Sequence, residues 1–544
     1  VKRKLLILVV LVAVLLSGVH IPTQARADKS IVVAFTQEPD SLNPMYTTMT
    51  FSAYVRDLFL MPAWDFDDQL NPHPVLVTEI PSQENGGISE DGKTLTIKLR
   101  NDIVWSDGEP ITSADFVFTY EMIMDDSNSP LSRFPYDTAV AGVEAPDAQT
   151  VVVTFNEPYA AWLGTIFSYV LPEHVLRPVF EDEMTLDAAE WNRNPTVGDG
   201  PFNFDSWETG SYIRFKRNDN FYGAKPILDV VSVSFIPDDA AYVIALENGD
   251  ADLGTFVSFP DGKRLQDSGK VQVPTIPSGY NEAWYFNVRE GLAHPAMLDV
   301  NVRKALIMAF NREQITTDLL SGLTRVATSF WDGSPYANPD VKPLPFDPEG
   351  AKQLLEQAGW VDTNGDGIRE KDGEKLSLRY VTSTRQIRVD VSVVAQQQLK
   401  DVGVELVLQT YPSDIYFNGY ANDGPIATGN FDIAEWSANP VGFPDPETSR
   451  FLCDQIPSDE APDGGNWTGY CDPAVDELFA QEASTLDYNA RIDVFHQIDV
   501  QLADAAVWAG VWYDADLWVI NNRLQNVKLN SVYPFWDVSS WDVQ

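Results

Sequence analysis

Histidine, cysteine and positive charge are scarce in this 544-residue chain, which has five His, two Cys and 37 Lys+Arg against 80 Asp+Glu, for a net charge of −43. A surface that acidic repels phosphate backbones and anionic headgroups, which argues against nucleic acid as a partner. Beyond the first 27 residues the histidines are His73, His174, His294 and His496; they form no H-x-x-x-H pair, and two cysteines alone do not make a zinc site. Also missing are the G-x-S-x-G serine elbow, H-E-x-x-H, the Walker phosphate loop and a G-x-G-x-x-G opening a helix after a strand. Gly198-Asp199-Gly200-Pro201 does not replace a phosphate cradle, because Pro201 has no amide proton and a β-like segment follows. No internal repeat, low-complexity tract or block of like charge interrupts the chain, so most of it is expected to fold.

At the N-terminus Lys2, Arg3 and Lys4 precede an apolar run, Leu5 to Leu16, and then small and polar residues ending in Ala25-Arg26-Ala27. That order predicts an export signal over 1–27 with cleavage after Ala27, the alternative being an uncleaved anchor because Val19–Ile21 prolongs the apolar stretch. No cysteine follows Ser17-Gly18, so a lipid-attachment site is missing and a soluble exported protein is expected. In that compartment Cys453 and Cys471, both in the exported part, predict a local disulfide. The length implies two to four domains, at roughly 100–200 residues each.

Short β-rich runs, Ile31–Thr36, Thr94–Arg100, Thr150–Phe155, Tyr212–Lys216 and Val230–Ile236, occupy the first half. Later segments read as helices Val300–Leu320, Pro348–Ala358 and Gln386–Val402, with strands Leu376–Val381 and Val404–Tyr411 around the last of them. A strand, a crossover helix and a second strand make the βαβ unit of a largely parallel sheet, so the class is α/β or mixed α+β with more than one sheet.

The most informative stretch is Trp105–Tyr120, WSDGEPITSADFVFTY, in which an Asp107-Gly108 turn is followed by a Thr112-Ser113-Ala114-Asp115 helix start and by Phe116, Tyr120 and Ile123 at helical spacing. Its wording, with Glu38-Pro39-Asp40-Ser41-Leu42-Asn43-Pro44, Gly198-Asp199-Gly200-Pro201-Phe202, Asn220-Phe221-Tyr222 and Ala245–Asp252, resembles the extracellular solute-binding proteins, family 5, of bacterial ATP-binding-cassette importers. Val302-Arg303-Lys304-Ala305-Leu306, Asp347-Pro348 through Ala358-Gly359-Trp360, and Phe431-Asp432-Ile433 before Trp436 extend the resemblance over nearly all of 30–520.

The resemblance implies a two-lobed periplasmic-binding-protein-like fold, type II in its large three-domain variant, with a ligand cleft between lobes. Domain I would hold 28–72, 198–276 and 510–544, domain II 73–197 and domain III 277–509. The implied role is a monomeric exported receptor, periplasmic or extracellular, that delivers a peptide or peptide-like solute to a membrane permease driven by a separate ATPase. It needs no cofactor and performs no covalent chemistry. An oligosaccharide or other polar organic solute is the competing ligand class, and a secreted hydrolase built on a carboxylate pair the alternative activity.

Apolar walls with a few oriented polar groups are what such a cleft requires. The strand ending in Trp436 would deliver the Ser437–Phe443 loop to it. In relatives that bind peptides an aspartate shortly after that tryptophan meets the ligand's α-amino group; here Asn439 stands there, and Asp445 or Glu435 would have to substitute. Tyr46, Thr47 and Trp105 are further expected contacts, as are Tyr280 and Trp284 in Ser278–Asn287. Alternation there sends Glu282, Trp284 and Phe286 to one face and Asn281, Tyr285 and Asn287 to the other, one of them facing the cleft or both serving as sheet core. Finally, Asp362, Asn364 and Asp366 space their oxygens as in the front of a calcium loop, although Gly373 occupies the twelfth position where a glutamate is expected; a solvated turn is the alternative.

Overall fold

The computed structural model describes residues 29–47, 49–439, 446 and 448–544, so the export signal and Asp445 lie outside the described residues. Strand β1 (Ser30–Phe35) opens the fold and is followed by the short pair β2 (Trp64–Phe66) and β3 (Pro72–Pro74). Next come β4 (Thr94–Lys98), β5 (Val140–Asp147) and β6 (Thr150–Phe155), an antiparallel sheet in the order β4-β6-β5. The strands β7 (Phe202–Glu208), β8 (Tyr212–Arg217), β9 (Val230–Phe235), β10 (Leu253–Gly254) and β11 (Val271–Gln272) return to β1. Then β12 (Thr275–Phe286) leaves for a second body, containing the hairpin β13 (Glu370–Lys371) and β14 (Glu374–Lys375) and the strands β15 (Ser377–Ser383), β16 (Glu405–Tyr411), β17 (Ile433–Ala438) and β18 (Trp508–Leu517). Strand β19 (Val519–Asn521) brings the chain home.

Two principal sheets result: a seven-stranded one, β11-β19-β10-β1-β9-β8-β7, and a five-stranded one, β16-β15-β17-β12-β18. In the first, β1 is flanked by parallel β9 and β10, and covering of both its faces explains its unbroken apolar sequence. Ile31, Val33 and Phe35 enter one apolar cluster while Ala34 enters another. In the second, β15 and β16 are parallel and joined by the helix Gln386–Lys400, as the βαβ reading expects. The predicted helix Val300–Leu320 is instead two, Val300–Ala309 and Arg312–Asp318, because the Asn311 side chain accepts the Gln314 amide proton at 3.0 Å and caps a new start. The Thr112 start is as expected: Asp115 accepts the Thr112 amide proton at 2.8 Å and the helix runs Ser113–Met124.

Lobe one is a single body. Side chains of the seven-stranded and three-stranded sheets join one apolar cluster, from Val33 and Val233 to Ile97 and Val153. Its seam is Gly198-Asp199-Gly200. The amides of Asp199 and Gly200 both donate to the Phe59 carbonyl, at 2.9 and 3.0 Å, and Asp199 accepts the Met61 amide proton at 2.8 Å. A Cβ on Gly200 would stand 2.6 Å from Phe59 Cα, so backbone fills the space a side chain would need. In lobe two, Cys453 and Cys471 are bonded, with Cα atoms 4.6 Å apart. No helix among the described residues is long and apolar enough to cross a membrane.

Two predictions follow from the seam. Gly200→Ala should lower stability by about 1–3 kcal/mol through overpacking, read by denaturant titration. Burial pushes the Asp199 carboxyl up to about 8 and that of Asp57 up to about 7. The folded chain therefore keeps protons that the unfolded chain releases, and stability is full below the ordinary carboxyl range and falls as pH climbs through these values. Calorimetric Tm should be higher at pH 5 than at pH 8, and Asp199→Asn should narrow the difference.

Candidate functional site

Among the described residues two strands carry the sheet structure from one lobe to the other, and they run side by side. Thr275, Ile276 and Pro277 of β12 pair antiparallel with Leu517, Asp516 and Ala515 of β18; the ladder slips at Ser278–Tyr280 and resumes with Asn281 opposite Tyr513. The bulge throws Tyr280 outward, 45% exposed, and Ser278 closes the gap by donating to the Asp514 carbonyl at 2.6 Å. On the other side of β12, Asn281 pairs with Ala438 of β17, so Tyr280 and exposed Asn439 are neighbours at the ends of adjacent strands.

Beside them lies a carboxylate pair absent from the sequence reading. Asp514 and Asp516 are half-buried and share a face of β18, two residues apart where the lobes meet. Asp514 accepts from Trp512 Nε1 at 3.1 Å and from the Ser437 hydroxyl at 3.2 Å, which ties it to β17, the strand that Asn439 follows. Burial, and then the charge of Asp514, pushes Asp516 up to about 7. The available signal was D-A-D inside an otherwise apolar and aromatic strand, but its meaning depends on the register between β12 and β18.

Further into lobe two, Glu282 is fully buried and held by Arg388 through bonds of 2.8 and 3.0 Å, with half-exposed Arg385 at 4.0 Å. Its neighbour Glu435 accepts from Tyr380, which accepts from Trp284 Nε1 at 3.0 Å. Burial together with the charge of Glu282 pushes Glu435 well above the usual carboxylate range. Being 0% exposed, Glu435 does not reach a ligand in place of the missing aspartate.

Several expected contacts are core instead. Trp105 is 0% exposed in lobe one and donates to Asp115 at 3.3 Å, bracing the helix start that follows it. Trp284 is stacked on Phe310 at 4.4 Å beneath the five-stranded sheet, and both faces of β12 there are covered by apolar clusters. Trp436 is also buried, face to face with Tyr285. Tyr46 packs against the lobe-one core and Thr47 donates to Asp40, so both are tied to lobe one. Asp362 caps the amides of Gly365 and Gly367, Asn364 caps Asp366, and Lys375 pairs with Asp366 at 2.5 Å. The oxygens with calcium-loop spacing are thus spent on their own turn, and among the described residues no group of three His, Cys, Asp or Glu is placed to hold a metal ion.

The lobes also touch away from the crossing strands. Tyr488 donates to the Leu70 carbonyl at 3.1 Å, Arg491 reaches the Ala160 carbonyl at 3.5 Å, and Leu486 packs over Gly92 and Pro158. These contacts hold the lobes together, at a net of about 1 kcal/mol per hydrogen bond. The double variant Leu486→Asp, Tyr488→Phe should populate a more open form, with a larger radius of gyration by small-angle scattering than wild type.

Comparison with known proteins accords with this architecture. The oligopeptide-binding protein AppA of Bacillus subtilis is 26% identical over 528 residues, 94% of this chain and 91% of the relative. Its structure in complex with a nonapeptide has a TM-score of 0.60 and covers 95% of this chain and 99% of AppA. The nickel-binding periplasmic protein of Escherichia coli is 26% identical over 463 residues, 81% of this chain and 82% of the relative. For fold alone, HbpA2 from Haemophilus parasuis gives a TM-score of 0.78 at 19% identity, covering 95% of this chain and 100% of that one. The fold is the two-lobed periplasmic-binding-protein fold. The family described as bacterial extracellular solute-binding proteins, family 5 (middle region), matches residues 71–454, and the chain belongs to it.

Proposed function

We propose that this chain is the exported receptor of an ATP-binding-cassette importer, capturing a peptide or peptide-like solute between its lobes and presenting the closed form to a membrane permease. The observation that carries the reading is the twin crossing by β12 and β18. Two adjacent strands with a bulge between them bend about one axis, so lobe one (28–276 and 510–544) and lobe two (277–509) close like jaws on whatever lies at the crossing. Peptide-binding and oligopeptide-binding relatives support the solute class, and the absence of the common catalytic signatures supports binding without turnover.

Asn439 removes one carboxylate from the lip, and Asp514 and Asp516 supply the charge that an ammonium group needs. Arg385, half-exposed above Glu282, offers the opposite sign for a carboxylate. A solute carrying both signs, as a peptide does, meets a partner for each.

Titration calorimetry across a panel of short peptides should give stoichiometric heat without turnover, and scattering should show compaction on binding. A panel with neither response overturns the receptor reading. Asp514→Asn should weaken the best peptide about tenfold or more, the scale of one charge-assisted hydrogen bond. Since Asp516 ionises through about pH 7, affinity for a cationic solute should rise from pH 6 to pH 8, and Asp516→Asn should flatten that rise.

A further inference from the structure

Lobe one has a cavity of about 500 Å³ between the β2–β3 pair, the loop around Tyr222 and the C-terminal segment. Asp65 and His73 stand directly opposite each other on β2 and β3 and both line it, while Trp64 and Phe66, on alternate positions, are buried in the core. Asp65 is 2% exposed, and its carboxylate takes one hydrogen bond, from the adjacent Phe66 amide at 2.5 Å. That is little for a buried carboxyl, and burial, then the charge of Asp57, pushes it well above the usual carboxylate range, so that an incoming cation is what would hold it ionised.

Aromatic rings form part of the remaining lining, together with Met61, Val75, Arg100, Lys225 and Asp537, the last already accepting from Trp541 Nε1 at 2.6 Å. Trp536 meets the His73 ring edge to face at 5.7 Å, and its indole N–H is buried with no partner. Phe221 and Tyr222, 4.9 Å apart, form another part of the wall. Two cations in the lining are already engaged: Arg100 by Asp102 at 2.7 Å, by the Val75 carbonyl and over the Tyr222 ring at 5.5 Å, and Lys225 by Asp219 at 2.9 Å. Burial keeps His73 toward its neutral form, so it does not satisfy Asp65 as an imidazolium.

We infer that this cavity is a second small-molecule site, taking an aryl-alkyl ammonium whose cation meets Asp65, whose ring lies among Trp536, Phe221 and Tyr222, and whose distal oxygen accepts the Trp536 N–H. The Asp65 carboxyl then receives a charge-assisted donor, the Trp536 indole an acceptor, and the Phe221 and Trp536 rings an aromatic neighbour. The acidic chain as a whole draws organic cations toward it. None of its lining residues belongs to β12, β17 or β18, and its occupant need not be the transported solute.

Tyramine is the probe, with 4-ethylphenol as the match lacking the ammonium. Saturation-transfer NMR on the full chain should show transfer to tyramine, and titration should find 4-ethylphenol weaker by about tenfold or more, the scale of one charge-assisted contact. Asp65→Asn should cost a similar factor. Because a change at Asp65 can disturb folding, Ala224→Trp, at an exposed position of the same lining, serves as a blocking variant that leaves the buried groups alone. It should abolish tyramine binding and leave peptide binding at the cleft intact. Absence of transfer to tyramine at millimolar concentration, equal affinity for 4-ethylphenol, or unchanged binding in Ala224→Trp would each overturn the assignment.

Discussion

The hydrogen-bond ladder between β12 and β18 is the constraint on which the rest of the molecule depends. These strands belong to the five-stranded sheet along most of their length, yet their lobe-one ends run directly into β11 and β19 of the other sheet. A single rope-like connection would let the lobes swivel in any direction, whereas two strands bonded to one another resist twisting and shearing and leave one soft bend. The irregularity between Pro277 and Asn281 interrupts the ladder and places that softness beside Tyr280, Asp514 and Asp516. On the proposed reading movement and recognition share one location, and a solute held there would bear directly on the angle between the lobes.

Charge follows the same geography. Most of the many carboxylates are exposed and serve solubility, but a few are buried at structural junctions: Asp57 and Asp199 at the seam of lobe one, Glu282 and Glu435 under the sheet of lobe two, and Asp516 at the crossing. Where a partner exists, as with Glu282 and Arg388, the pair fixes a helix onto the sheet. Burial pushes all of these carboxyls upward, Glu282 included, since a buried charge is costly to keep even beside a cation.

Local chemistry was legible in the sequence. Thr112 and Asp115 cap a helix because their side chains reach backbone amides within one turn, and Gly198-Asp199-Gly200 marks a close approach of backbone to backbone; neither needs distant context. The cysteine pair and the βαβ unit around Gln386–Lys400 were equally local. The site was less so. Trp105 and Trp284 have the composition of a binding wall, but alternation along a strand says nothing about whether both faces are covered, and here they are. Asp362, Asn364 and Asp366 have a spacing that serves a cation or the turn's own amides equally well, and in the structure their oxygens accept those amides. Asp514 and Asp516 acquire meaning from strands nearly 240 positions upstream, a relation no short window of sequence contains.

The glycine seam at Phe59 has a mechanical consequence. Gly198 and Gly200 clamp the turn before β2 against the start of β7, and with the apolar cluster shared by the three-stranded and seven-stranded sheets this makes lobe one a stiff lever arm. A small rotation at the crossing strands is then delivered undamped along that arm, and its displacement grows with distance from the pivot. The outermost surface of the three-stranded sheet becomes the place where an empty and a filled receptor differ most in position, and so the natural gauge by which another protein could tell them apart.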